Sequence, residues 1–166
     1  MSPRDLTRRA VLSALGTVAF GPSLAWAQGP MRLRSVRVDV SPLRANVGDP
    51  TAAWVEEALP GLLAQAFQPV LSPGDRDGGT LIARIDWLFL GPNSGTGPLG
   101  SSQDTIEGTL FVRGPRGGMI ASAPLRAISS YFRNPFDQPL VVQSNQARVV
   151  ALAQNFAGFA PRQLGL

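Results

Sequence analysis

Cysteine, histidine and lysine are all missing from this chain of 166 residues. Without cysteine there are no disulfides and no thiol nucleophiles. Without histidine the commonest general base, the commonest metal ligand and the usual neutral-pH switch are gone together. Without lysine there is no Schiff-base chemistry and no serine–lysine dyad, and all 15 basic residues are arginine. An enzyme built on this inventory would have to rely on Asp, Glu, Arg, Ser, Thr and the single Tyr131. We therefore expect a non-catalytic protein, and assign no catalytic residue, no cofactor site and no metal site. Charge of one sign is also scarce: the formal net charge is +4, and half of that excess comes from Arg4, Arg8 and Arg9 less Asp5. So small an excess gives no footing for nucleic-acid binding.

What is present begins with an export signal. Arg4, Arg8 and Arg9 form a positive start, and Ala10 to Ala25 is an apolar stretch broken by Gly16, Gly21 and Pro22. Ala25-Trp26-Ala27 gives the small-x-small pattern of a cleavage site, which predicts cleavage before Gln28. Thr7-Arg8-Arg9-Ala10-Val11-Leu12 resembles a twin-arginine signal, with Val11 where Phe is usual and Ser13 where Lys is common. The apolar stretch is shorter than the roughly 20 residues a membrane span needs. The expected organisation is a cleavable segment 1–27, one α+β domain over 28–166, a periplasmic location and no transmembrane anchor after cleavage.

The remainder reads as β-α-β-β-β-α. Residues 32–40 alternate, with Val36, Val38 and Val40 on one face and Ser35, Arg37 and Asp39 on the other, which predicts a half-buried strand. Ser41 to Gly48 reads as a loop, with Asp49 capping a helix over 50–67 that starts at Pro50. That helix carries Val55, Leu59, Leu62, Leu63 and Ala66 on one stripe, and Pro60 should kink or split it. A strand over 80–90 sets Leu81, Ala83, Ile85, Trp87 and Phe89 on one face, and Ile82, Arg84, Asp86, Leu88 and Leu90 on the other. Gly91 to Gln103 reads as a loop. Strands over 105–113 and 119–131 flank a tight turn at Gly114–Gly118, with Ile106, Leu110 and Val112 inward and Pro124 favouring an edge position or a bulge. Arg133 to Pro139 turns the chain into a helix over 141–160, where Val149, Leu152, Ala153, Phe156 and Phe159 face the core. Two helices then cover one face of a four-stranded, largely antiparallel sheet, making a two-layer sandwich.

Few motifs survive inspection. Gly95-Thr96-Gly97-Pro98-Leu99-Gly100 spells G-x-G-x-x-G, but Pro98 removes an amide and no helix follows, so it reads as loop. Asp75-Arg76-Asp77-Gly78-Gly79, with Asp86 further on, lacks the ligand spacing of a calcium loop and reads as a turn. Asp86 and Glu107 fall on neighbouring strands and form the one carboxylate pair suited to acid/base work, with Arg84 and Arg113 flanking them. The plainer reading is a row of cross-strand ion pairs. Arg32, Arg34 and Arg37 make a small basic stretch that could touch anionic lipid or lipopolysaccharide, and the plainer reading is a charge-protected strand edge.

In size, signal and element order, the chain over 32–160 resembles small exported envelope accessory proteins of the lipopolysaccharide-assembly and transport-auxiliary lipoprotein type. It lacks the lipid-bearing cysteine of that group. The resemblance implies a non-catalytic accessory or binding role in an envelope assembly, with an envelope protein or a lipid as partner. The alternatives are a small-ligand or lipid carrier and a carboxylate-dependent hydrolase using Asp86 and Glu107. The sequence sets no oligomeric state.

Overall fold

The structure, a computed structural model, describes residues 31–91, 101–132 and 145–166. The export signal with Arg8, Arg9, Ala25 and Ala27, the Gly95–Gly100 motif and the turn over 133–139 lie outside the described residues. The elements are β1 (Leu33–Asp39), α1 (Ser41–Val47), α2 (Thr51–Ala66), a 3-10 turn (Gln68–Val70), β2 (Gly79–Phe89), β3 (Ser101–Arg113), β4 (Met119–Phe132) and α3 (Asn145–Gln163). The strands form one sheet in the order β1-β2-β3-β4. β1 runs parallel to β2, and the other two pairings are antiparallel. The class is the expected α+β two-layer arrangement, with the helices on one side of the sheet.

Local chemistry accounts for the connections. Parallel neighbours need a long crossover, which α1 and α2 provide between β1 and β2. β3 and β4 are joined by the predicted tight turn, where the Gly114 amide donates to the Gly118 carbonyl at 2.8 Å. Gly117 sits at φ +83°, a left-handed value that glycine adopts without steric cost. The core lies between the layers. Leu81, Ile85, Ile106, Leu110 and Val112 of the sheet meet Val55, Leu59 and Leu63 of α2 and Val149, Leu152 and Phe156 of α3, all fully buried.

The helices depart from expectation in four places. The segment expected as a loop over Ser41–Gly48 contains α1, anchored by the fully buried Leu43. Its proline, Pro42, stands in the first turn, where a missing amide proton costs nothing. Asp49 does not cap α2, which starts at Thr51 after Pro50 with no side-chain cap. The Asp49 carboxylate instead accepts from Arg44 Nε at 3.2 Å. Pro60 does not split α2, whose helix runs unbroken from Thr51 to Ala66 with Leu59 and Leu63 buried on either side of it. Burial on both sides of the proline outweighs the one backbone bond it removes. In α3, Phe159 is 48% exposed while Ala160 is buried. Phe159 falls at the margin of the stripe formed by Val149, Leu152, Ala153, Phe156 and Ala160.

The largest departure is in β2. Ile85 pairs with Gly108 and Trp87 pairs with Glu107, which leaves Asp86 as an extra residue. One inserted residue reverses which face every later side chain takes. Leu81, Ala83 and Ile85 enter the core as expected, but the next residue to do so is Leu88. Trp87 and Phe89 turn outward at 45% and 50% exposure. Gly108 makes the irregularity fit: a Cβ there would collide with the Arg84 carbonyl and press on Ile85. β3 starts at Ser101, so the expected loop over Gly91–Gln103 is shorter at its far end.

Candidate functional site

The sheet face away from the helices collects most of the residues the sequence singles out. Strand register arranges them in rows. Arg37, Ile82 and Phe111 align across β1, β2 and β3, as do Asp39, Arg84 and Thr109. Trp87, Glu107 and Arg126 form a third row, and Phe89, Thr105 and Ile128 a fourth. Ile128 is 39% exposed, so the third and fourth rows together make an aromatic and aliphatic corner.

Charges fill the middle of this face. Arg84 Nε donates to Asp86 Oδ1 at 2.9 Å, and its guanidinium stands 5.3 Å from the centroid of the Phe111 ring. Arg126 Nε lies 3.2 Å from Glu107 Oε1. Asp86 and Glu107 are thus on neighbouring strands as expected, but each is committed to a different arginine. Glu107 faces Trp87 rather than Asp86, because the bulge displaces Asp86 from the ladder. Arg113 does not flank them; it pairs with Thr80 at the other end of the face, and Arg126 takes its place beside Glu107. All four groups are well exposed to solvent, so these pairs contribute little to stability. Asp39, on the same face, is held below its ordinary pKa by the Ser41 backbone amide, then by the Ser41 hydroxyl and by the charge of Arg84. The Asp39 Oδ1 to Ser41 amide distance is 3.0 Å.

The Asp75–Gly79 segment is a turn. The Asp77 amide donates to Asp75 Oδ1 at 3.0 Å and the Gly78 amide to the Asp75 carbonyl at 3.3 Å. Among the described residues, no group of three or more acidic residues is placed to hold a metal ion. No described helix is long and apolar enough to cross a membrane.

A buried cluster escapes the sequence reading altogether. Asp104 at the start of β3 is fully buried, and Arg148 in the first turn of α3 is 4% exposed. Arg148 Nε donates to Asp104 Oδ2 at 2.9 Å, while Nη2 contacts Asp104 Oδ1 and donates to the Gly91 carbonyl at 2.7 Å. The Gly91 amide returns a bond to Asp104 Oδ1 at 2.9 Å. The cluster ties the end of β2, the start of β3 and the start of α3 to one another. A cation in the first turn of a helix opposes the helix dipole, so Arg148 depends on Asp104 for its place. The signal was present: Asp104 shares the inward parity of Ile106, Leu110 and Val112, and Arg148 lies one turn before Leu152.

The sheet's edges also differ. Pro124 on β4 has no amide proton, its carbonyl accepts from Gln163 Nε2 at 2.9 Å, and the Ile128 carbonyl accepts from Asn155 Nδ2 at 3.4 Å. On β1 the Ser72 amide bonds to the Leu33 carbonyl at 2.7 Å, and Leu71 bridges Leu33. From Ser35 to Val38, no described residue bonds to the outer side of the β1 backbone.

No family model matches the chain, and no curated protein matches it. Among solved structures, a minor lipoprotein from Acinetobacter baumannii is 18% identical, with 81% of this chain and 92% of that chain covered and a TM-score of 0.45. A chain provisionally described as a lipoprotein, from Caulobacter crescentus CB15, is 12% identical over 80% of this chain and 87% of that chain, with the same TM-score of 0.45. Superposition at that level leaves the role to be argued from the chain itself.

Proposed function

We propose that this chain is an exported, non-catalytic accessory or binding protein that works in the periplasm and serves an envelope assembly or transport complex. The observation that carries the binding reading is the division of the sheet. Its described helices all lie on one face, and the other presents arginines beside the exposed Trp87, Phe89 and Ile128. Aromatic residues and arginine are the types enriched where proteins meet. The exported location rests on the signal features of residues 1–27, with Arg8 and Arg9 ahead of the apolar stretch and Ala25 and Ala27 at the cleavage site.

The hydrolase alternative asks Asp86 and Glu107 to work as a pair, and their separate arginines count against it. The carrier alternative asks for a cleft between sheet and helices, where fully buried Leu, Ile, Val and Phe side chains fill the space instead. Crosslinked pull-down of the processed protein from its native envelope, with proteins and lipids identified by mass spectrometry, tests the proposal. A reproducible envelope protein partner is the expected result. Recovery of a bound lipid alone would favour the carrier, and recovery of neither would remove the accessory reading.

A further inference from the structure

A sheet edge offers a row of backbone donors and acceptors to any extended chain, and proteins block the edges they do not use. β4 is blocked by Pro124 and by the Gln163 and Asn155 side chains on two of its carbonyls. Among the described residues, other backbone covers β1 only at its start, at Leu71 and Ser72. Its stretch from Ser35 to Val38 is open among the described residues, and the same short segment is rich in exposed cations. Arg32 is 70% exposed in its side chain and only loosely paired with Asp75 at 3.8 Å. Arg34 reaches no acid among the described residues, its Nε lying 3.5 Å from the Thr80 hydroxyl. Arg37 is exposed and has no acidic partner among the described residues. The one carboxylate on β1, Asp39, stands at the far end and accepts from the Ser41 amide.

We infer that the open edge of β1 docks an extended, acidic segment of a partner protein, which adds to the sheet as a fifth strand. The backbone between Ser35 and Val38 supplies the hydrogen bonds, and Arg32, Arg34 and Arg37 select for carboxylates. The other natural occupant of an open edge is a second copy of the chain. Two β1 strands side by side would bring six arginines together against two Asp39 carboxylates, and like charges across a strand pair are unfavourable. The charge on this edge therefore favours an acidic strand over a copy of itself. This deepens the accessory reading, resting on it for the partner being a protein, and names how that partner is held.

The test uses the full-length protein and three end-blocked synthetic octapeptides. One alternates Glu and Val, one replaces every Glu by Lys, and one carries Pro at two central positions of the Glu-Val sequence. Binding is followed by amide NMR and hydrogen exchange. The Glu-Val peptide is expected to bind and to slow exchange of amides between Arg34 and Asp39 while leaving β4 unchanged. The double variant Arg34→Glu/Arg37→Glu, at exposed positions whose folding the same spectra verify, should weaken it at least tenfold. Raising salt should weaken binding to the parent protein too.

Failure of the Glu-Val peptide to bind would overturn the inference. So would equal binding by the Lys or Pro peptide, shifts confined to Trp87 and Phe89, or a β1-mediated dimer in the free protein. If the peptide fails while pull-down returns an envelope protein, the edge is wrong and the accessory reading stands. If the peptide binds at β1 and pull-down returns nothing, the edge stands and the accessory reading falls.

Discussion

Replacing Arg148 by methionine isolates what the buried cluster contributes. The substitution keeps an apolar side chain of similar reach and removes the guanidinium. Asp104, fully buried, is left with the Gly91 amide as its remaining described partner. Stranding one member of a buried ion pair costs about 3–5 kcal/mol. A domain of ordinary stability has about 5–15 kcal/mol in total, so the loss is a large fraction of the whole. At about 2–4 °C per kcal/mol for a chain of this size, Tm should fall by roughly 6–20 °C. Arg148→Met combined with Asp104→Leu removes the stranded charge and should recover part of the loss, so that the double variant loses less than the two single variants summed. Recovery stays incomplete, because the Gly91 carbonyl and amide then lose their partners at about 1–3 kcal/mol for each one left unsatisfied. Urea unfolding followed by the fluorescence of Trp54 and Trp87 measures all four corners of the cycle. A cost below about 1 kcal/mol for Arg148→Met, or a double variant whose loss equals the sum of the single losses, would refute the reasoning.

Three further outcomes are expected. Leu88→Ala should cost about 2–5 kcal/mol as a core truncation, whereas Trp87→Ala should stay within about 1 kcal/mol; the reverse order in thermal denaturation would put the bulge at Asp86 in error. Gly108→Ala should destabilise by about 1–3 kcal/mol through its collision with the Arg84 carbonyl. Gly61→Ala, in a helix with open space around it, should instead stabilise by about 0.5–1 kcal/mol in the same assay. Asp39 titrates below its ordinary value in the folded chain, so its contribution is present above the unfolded pKa and is lost as pH falls through the lower, folded one. Denaturation at a series of pH values between about 5 and 2 should show the parent losing stability more steeply than Asp39→Asn, and parallel curves would contradict this.

Local patterns carried the sequence reading where one strand or turn decides its own fate. The valines of β1, the Gly114–Gly118 turn and the edge position of Pro124 are of this kind, since each follows from alternation or from a missing donor. The bulge in β2 is different. An unbroken alternation from Leu81 to Phe89 looks the same whether or not one residue is skipped, and the deciding residue, Gly108, lies on another strand. Asp104 and Arg148 are similar: each looks misplaced among core-facing neighbours, and only the tertiary pairing turns two misplaced charges into one cluster. α1 is not legible in the sequence because seven residues are too few to show a helical period. For the carboxylates, the sequence placed Asp86 and Glu107 on adjacent strands, but it could not pair Glu107 with Arg126 without the β3–β4 register.

The blocked edge of β4 bears on how these molecules behave when crowded. A ribbon of sheets that lengthens by strand addition needs two free edges on every link, one to join and one to offer. Among the described residues, each link here has one. Were two molecules to meet through β1, the result would be an eight-stranded sheet ending in β4 at both sides, with no place for a third. Gln163, Asn155 and Pro124 thus act as a chain terminator against polymerisation, and it is the seating of α3 against β4 that keeps the protein from becoming a monomer in the polymer chemist's sense.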